Sequence, residues 1–310
     1  MAIDRVANLT QHQFLLNEFM KVQKRMADTQ EQISTGKVGD QFKDISEDAG
    51  VLLAAKRAEA RTQGYMDAAT ELASRLQLQD VQITTLADHA NDLRQGVTEA
   101  LANNKGLAFM ERVDGIFRMA VNILNARVDG RYVYGGTRTD VPPVNVETLK
   151  DLAAAPTVAS VFDNSQTKTS MQIDDGETME FGVLASDLGT QLFTSIRNIA
   201  QFNAGPNGPF GDDLTAAQRS FLEGELQNII TAADGLNLEA AKNGVHQNEV
   251  SDALERHDAS KVVLKSMISD IEDVDMAEAI TRLNQTQVAA QATAKMLAEL
   301  NQLTLLNFLP

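Results

Sequence analysis

The side chains able to do chemistry in this chain are few and scattered. Four histidines, His12, His89, His246 and His257, are the whole imidazole complement, and none has another at the i+4 spacing that a helix uses to hold zinc. There is no cysteine, which excludes disulfides, thiolate metal sites and a catalytic thiol. Asp174, Asp175 and Glu177 form an acidic cluster without the twelve-residue spacing of a calcium loop, so a solvated turn is expected there. Gly135 and Gly136 lack the following glycine pattern and lysine of a phosphate cradle, and read as a tight turn. No nucleophile elbow, HExxH helix or dinucleotide fingerprint occurs, so the sequence is read as non-enzymatic, with no catalytic, cofactor-binding or metal-binding residues assigned.

The informative pattern therefore lies in the elements themselves. Of 310 residues, 43% are hydrophobic and only 5% aromatic, with no tryptophan, so a large aromatic core is not expected. The six prolines are Pro142, Pro143, Pro156, Pro206, Pro209 and Pro310, which leaves residues 1–141 and 210–309 free of proline and open to very long helices. The net charge of −16 argues against nucleic acid as a partner. Residues 140–215 hold eleven Asp and Glu against three Lys and Arg, a net of −8, and read as a solvated outer domain. No segment approaches the roughly 18 to 20 apolar residues of a membrane helix, and the N-terminus lacks the regions of a cleaved secretory signal.

Periodicity then divides the chain. A first helix is expected from about Arg5 to Ile33, with a heptad seam of Leu9, Leu16, Gln23 and Gln30 at one position and His12, Phe19, Met26 and Ile33 at the other. Asp44 and Glu47 have capping-box spacing before a short Ala-rich helix through about Arg61. A second long helix is expected from about Tyr65 to Asn103 on the stripe Ala69, Leu72, Leu76, Gln79, Ile83, Leu86, Ala90, Leu93, Val97 and Ala100, and a third after Gly106 through Val128. Residues 131–187 read as β-rich, with a hairpin around Asp174, Asp175 and Gly176. Thr215 and Gln218 cap the longest stripe, from Leu222 to Ile271, on which Asn243 and Gln247 are polar positions able to set register. Asp275 and Glu278 open a last helix with Ile280, Leu283, Ala290, Ala294 and Leu297 inward, ending in the nearly uncharged LNQLTLLNFLP.

The fold class expected is mainly α, an elongated rod of coiled-coil helices from both chain ends with a small β-rich inserted domain. Its divisions fall at 1–41, 42–130, 131–210, 211–272 and 273–310, the first and last being halves of one terminal coiled coil. The terminal helices carry more apolar surface than one seam can cover, so neighbouring copies are expected to bury the surplus.

This arrangement resembles the bacterial flagellin superfamily. ISTGKVGDQFKDISEDAGVLLAAKRAEARTQGY at residues 33–65 looks like the family's turn and Ala-rich helix, and DVDMAEAITRLNQTQVAAQATAKMLAELNQLTLLNFL at 273–309 looks like its C-terminal signature. RYVYGGTRTDVPPV at 131–144 is similar to the motif of the hook-filament junction branch, carried here by Tyr132, Tyr134, Gly135, Gly136, Thr137, Thr139, Asp140, Pro142 and Pro143. The resemblance implies an extracellular structural subunit of the flagellum, exported without signal cleavage and held beforehand by an export chaperone. It also implies self-assembly into a ring or short tube layer beside hook-associated and flagellin subunits. The implied interface comprises Leu9, Leu16, Phe19, Met26 and Ile33 with Ile280, Leu283, Leu297, Leu300, Leu303 and Leu306. A filament-forming flagellin and a coiled-coil binding module outside the flagellum are the alternatives.

Overall fold

The computed structural model describes the backbone of residues 2–39 and 48–306, and the side chains of residues 10–39 and 48–299. Among these the order is α1 (Ala2–Thr35), α2 (Ala49–Asn103), α3 (Phe109–Leu124), β1 (Arg127–Val128), β2 (Arg131–Tyr132), α4 (Leu149–Ala154), a 3-10 turn (Val158–Val161), β3 (Ser170–Asp174), β4 (Glu177–Glu180), α5 (Ala185–Ala204), α6 (Ala216–Glu272) and α7 (Met276–Leu306). The chain is thus mainly helical, as its long proline-free runs predict. It forms two compact units, one of Met1–Arg61 with Ser260–Pro310, the other of Thr62–Ala259.

The inner unit, Thr62–Ala259, holds the principal core. Every residue of the expected α2 stripe from Ala69 to Ala100 is buried, and so are Leu222, Ile229, Ala233, Leu236, Asn243, Val250 and His257 of the α6 stripe. Asn104 ends α2 in the left-handed region at φ 55°, and Lys105 N–H returns to the Ala100 carbonyl at 3.1 Å. Gly106 then passes so close to Gly211 and Leu214 that a Cβ there would lie 2.9–3.0 Å from them, which is why the break carries glycine. The Thr215 capping box forms as expected: Thr215 N–H donates to Gln218 Oε1 at 2.9 Å, and Gln218 N–H to Thr215 Oγ1 at 3.3 Å.

Two expectations are corrected, and a third is not reached. No helix break falls between Arg61 and Tyr65: α2 runs unbroken through Gly64, whose helix penalty is roughly 1 kcal/mol. The Asp44 and Glu47 cap lies outside the described residues. The middle of the chain is far less β-rich than expected. Its strands are limited to the two-residue pair β1–β2 and the β3–β4 hairpin, with Gly176 turning the latter at φ +76°, whereas α5 takes twenty residues of it. The signal for α5 was Leu188, Leu192, Ile196 and Ile199 at helical spacing, all buried. Gly189 obscured it, yet this glycine admits the Phe162 ring, which would sit 2.8 Å from a Cβ.

The terminal unit is built on the antiparallel pair α1 and α7. Their inner ends are tied by a bridge between Lys37 and Asp273, where Val38 N–H donates to the Glu272 carbonyl at 2.8 Å and Val274 N–H to that of Gly36 at 2.9 Å. Lys37 and Lys56 both pair with Glu272. Asp275 caps α7 by accepting from the N–H groups of Ala277 and Glu278 at 2.8 and 3.1 Å, while Glu278 itself turns to Arg282.

Replacing Thr215 by Ala should lower the unfolding free energy by about 1 kcal/mol through loss of the cap. Urea denaturation followed by circular dichroism checks this; an unchanged midpoint would mean that the box adds nothing to stability.

Candidate functional site

Two regions bear on function, the outer faces of the terminal helices and the segment from Tyr132 to Pro143. On α1 the seam is only half as expected. His12, Phe19, Met26 and Ile33 are half-buried, but the alternate positions are Leu15, Val22 and Thr29, with Leu16, Gln23 and Gln30 facing outward. The heptad around Phe19 and Met26 can be completed on either side, and the chosen side avoids burying two glutamine amides. Thr29 is 3% exposed, but its hydroxyl is satisfied by the Arg25 carbonyl at 2.8 Å.

On α7 the covered positions are Ala279, Leu283, Thr286, Ala290, Thr293 and Leu297, so Ile280 and Ala294, expected inward, face out instead. Small residues alternate along this seam and let the backbones approach. The larger apolar side chains are displaced to the outside: Ile280 is 48% exposed, Val288 66% and Met296 54%, joined on α1 by Phe14 at 63% and Leu16 at 43%. The side chains of Leu9, Leu300, Leu303 and Leu306 lie outside the described residues.

The imbalance between the units is large. Among the described residues forty-eight hydrophobic side chains are buried, and four of these, Val22, Leu52, Ala55 and Ala279, belong to the terminal unit, against twelve of the seventeen exposed large ones. Apolar surface of this extent is the kind that associating proteins bury.

The Tyr132–Pro143 segment is a buried knot. Tyr132, Tyr134, Gly135, Gly136 and Pro143 are buried, Thr139 is half-buried, and Thr137, Asp140 and Pro142 are exposed. Tyr134 is fully enclosed; its hydroxyl donates to Gln82 Oε1 at 2.7 Å, and its carbonyl accepts from Ala185 N–H at 3.0 Å. Burial raises its phenol well above the ordinary tyrosine range. Arg127 lies over the Tyr132 ring, 4.2 Å from its centroid. The Gly135 carbonyl accepts from Ser165 N–H at 2.9 Å, Thr137 N–H donates to Thr167 at 3.2 Å, and Pro143 accepts from Asp163 at 2.8 Å. A Cβ on Gly135 would stand 2.1 Å from the Arg138 carbonyl oxygen, and Gly136 sits at φ +64°, so glycine is required at both. The segment therefore ties the end of α3, the residues around Asn164 and the start of α5 into one body.

The candidates for chemistry are dispersed. His89 and His246 approach Asp92 and Glu249 on their own helices. His257 is buried, stacked on Tyr65 with ring centroids 5.7 Å apart, and its Nε2–H donates to the Ile173 carbonyl at 2.7 Å. That bond docks the β3–β4 hairpin onto α6, a structural role that sequence spacing alone did not show. Asn243 and Gln247 both donate to the Leu76 carbonyl, at 2.9 and 3.3 Å, as register-setting residues should. A cavity of about 240 Å³ beside Asn243 is lined by Lys168, Glu239, Lys242 and His246, but Lys168 is paired with Asp187 and Lys242 with Glu239. Among the described residues no cluster of three or more His, Asp or Glu is placed to hold a metal, and no helix is long and apolar enough to cross a membrane.

Comparison with known proteins agrees with this architecture. The fold is shared with two solved structures: a candidate flagellar hook-associated protein from Vibrio parahaemolyticus (TM-score 0.59, 15% identity, 74% of this chain and 100% of that one) and Bacillus cereus FlgL (TM-score 0.54, 13% identity, 71% and 99%). The family model for the bacterial flagellin C-terminal helical region matches residues 226–309. The candidate flagellin YvzB of Bacillus subtilis (strain 168) is 30% identical over 128 residues, covering 41% of this chain and 76% of that protein. Flagellins of Clostridium tyrobutyricum and Bacillus subtilis (strain 168) match at 25% and 24% identity over 41% and 71% of this chain, which spans 33% and 64% of their respective lengths. The chain belongs to the flagellin family and is a structural protein of the bacterial flagellum. Membership removes the reading of a coiled-coil module outside the flagellum.

Tyr134→Phe should cost about 1 to 2 kcal/mol, because Gln82 loses its donor in a buried site. The same substitution should flatten the alkaline stability profile. With the folded phenol raised, the unfolded chain alone loses this proton above about pH 10, so native stability falls there and the variant is spared that part of the fall. Urea unfolding of both proteins between pH 8 and 11 checks the sign.

Proposed function

We propose that this protein is the adaptor subunit that joins hook to filament, assembling as a ring or short layer through its terminal helices. The observation that carries the assembly is the exposure of Phe14, Leu16, Met20, Met276, Ile280, Val288 and Met296 on a unit whose described residues bury only four hydrophobic side chains. At roughly 1.5 to 3 kcal/mol for each large side chain taken from full exposure to full burial, covering half of these half-exposed groups by neighbours gives on the order of 4 kcal/mol, and covering all of them about twice that. The choice of junction over bulk filament is favoured by the RYVYGGTRTDVPPV segment and by the likeness in fold to a flagellar hook-associated protein. In this reading the acidic middle of the chain faces solvent outside the flagellum. Hook-associated and flagellin subunits lie on either side, and the chain reaches its place without signal cleavage, handed over by an export chaperone that covers the terminal helices.

The second reading is a filament-forming flagellin, favoured by the similarity to flagellins of Bacillus subtilis and Clostridium tyrobutyricum. Seeded polymerisation on isolated hooks separates the two. The junction reading predicts a short layer that stops, and growth of micrometre filaments would overturn it. Removal of residues 300–310 should abolish the layer while leaving a soluble, largely helical chain. Within the assembly surface, Leu16→Ser should weaken association while changing monomer stability by less than about 0.5 kcal/mol, as an outward residue does. Phe19→Ser, on the half-buried seam between α1 and α7, should instead lower the melting temperature of the assembled layer, in which that seam is held, and leave the dilute chain's core transition unchanged. Thermal melts below and above the association concentration check this.

A further inference from the structure

We propose that Met20, Met267, Met276 and Met296 are oxidation-sensitive modification sites, at which conversion to methionine sulfoxide blocks self-association; this rests on the assembly reading above. With no cysteine in the chain, methionine carries all of its sulfur, and the sequence has eleven. Among the described residues five are substantially exposed, and their distribution is uneven. Met20 is 51% exposed, Met267 41%, Met276 43% and Met296 54%, all in the terminal unit, while Met119 at 52% is the single one in the inner unit. The four accompany Phe14, Leu16, Ile280 and Val288, whose side chains are left exposed by the described residues.

A thioether suits such a surface because it is unbranched and polarizable, and fits an irregular apolar partner. Exposure in the free chain also makes it accessible to peroxide. The sulfur lone pair attacks one peroxide oxygen, the O–O bond breaks, and the second oxygen leaves as water after taking up the proton. Methionine is oxidised by two electrons to the sulfoxide and hydrogen peroxide is reduced. The product is a strongly polar S=O group that a hydrophobic contact cannot hydrogen-bond. Burial between copies conversely shields the sulfur, so association and oxidation oppose each other. Met119 supplies an internal comparison, equally exposed but outside the terminal unit.

The test uses the full chain in three forms: untreated, treated with hydrogen peroxide, and the quadruple variant M20L, M267L, M276L, M296L with and without peroxide. Peptide mass spectrometry verifies oxygen addition at each position, and sedimentation over a concentration series reads association. The expected result is a rise of roughly tenfold or more in the concentration needed for association of the oxidised wild-type chain, since several polar groups are then buried unpaired. Reversal by a methionine sulfoxide reductase is expected, and the variant should associate equally in both conditions although Met119 is oxidised. Association of the fully oxidised wild type at the untreated concentration overturns this proposal alone, as does an equal loss in the peroxide-treated variant. An untreated chain that stays monomeric throughout overturns both this proposal and the assembly reading.

Discussion

Helices of fifty-five and fifty-seven residues can each be buried only along a stripe, and what covers that stripe changes along their length. In the inner unit α3, α5 and the Tyr132–Pro143 knot contribute side chains to a core with Ile83, Leu93, Leu222 and Ile229, so the long helices are closed over there. Among the described residues of the terminal unit only four hydrophobic side chains are buried, set against a conformational entropy cost of roughly 1 to 2 kcal/mol for each ordered residue's backbone alone. On the assembly reading proposed above, closure comes from neighbouring copies of the chain.

The same economy explains the polar residues on the inner seams. Asn243 and Gln247 spend their donors on one carbonyl of α2, and His257 spends its own on the hairpin. Replacing them with leucine would bury more apolar surface, but the helices would lose a fixed axial register, which an assembling subunit must present identically in every copy. The motif around Tyr134 acts on the same principle. Its glycines and enclosed phenol hold the middle of the chain as a rigid attachment, not as a binding pocket.

Much of this was legible in the sequence, and the reasons are particular. The α2 and α6 stripes could be read residue by residue because period and burial agree wherever both sides of a seam come from the same chain. The α5 helix was missed because Gly189, Gly205 and Pro206 gave that region the texture of loop and strand. The terminal seam was only half read: Leu16 and Ile280 look like core residues by type, but the structure buries Val22 and Ala279 in their place. Hydrophobicity marks a residue as wanting cover without saying whether the cover is internal. For a subunit whose outer faces are as apolar as its inner ones, that ambiguity is the signature of the surface itself.

The central claim, that the terminal unit is completed by neighbouring copies, is tested most directly by amide hydrogen exchange in residues 10–35 and 276–299, compared between the dilute chain and the assembled layer. The account predicts fast exchange there in the dilute chain, against slow exchange in α3 and α5, and strong protection of the terminal helices once assembled. Terminal helices as protected in the dilute chain as the inner core would contradict it.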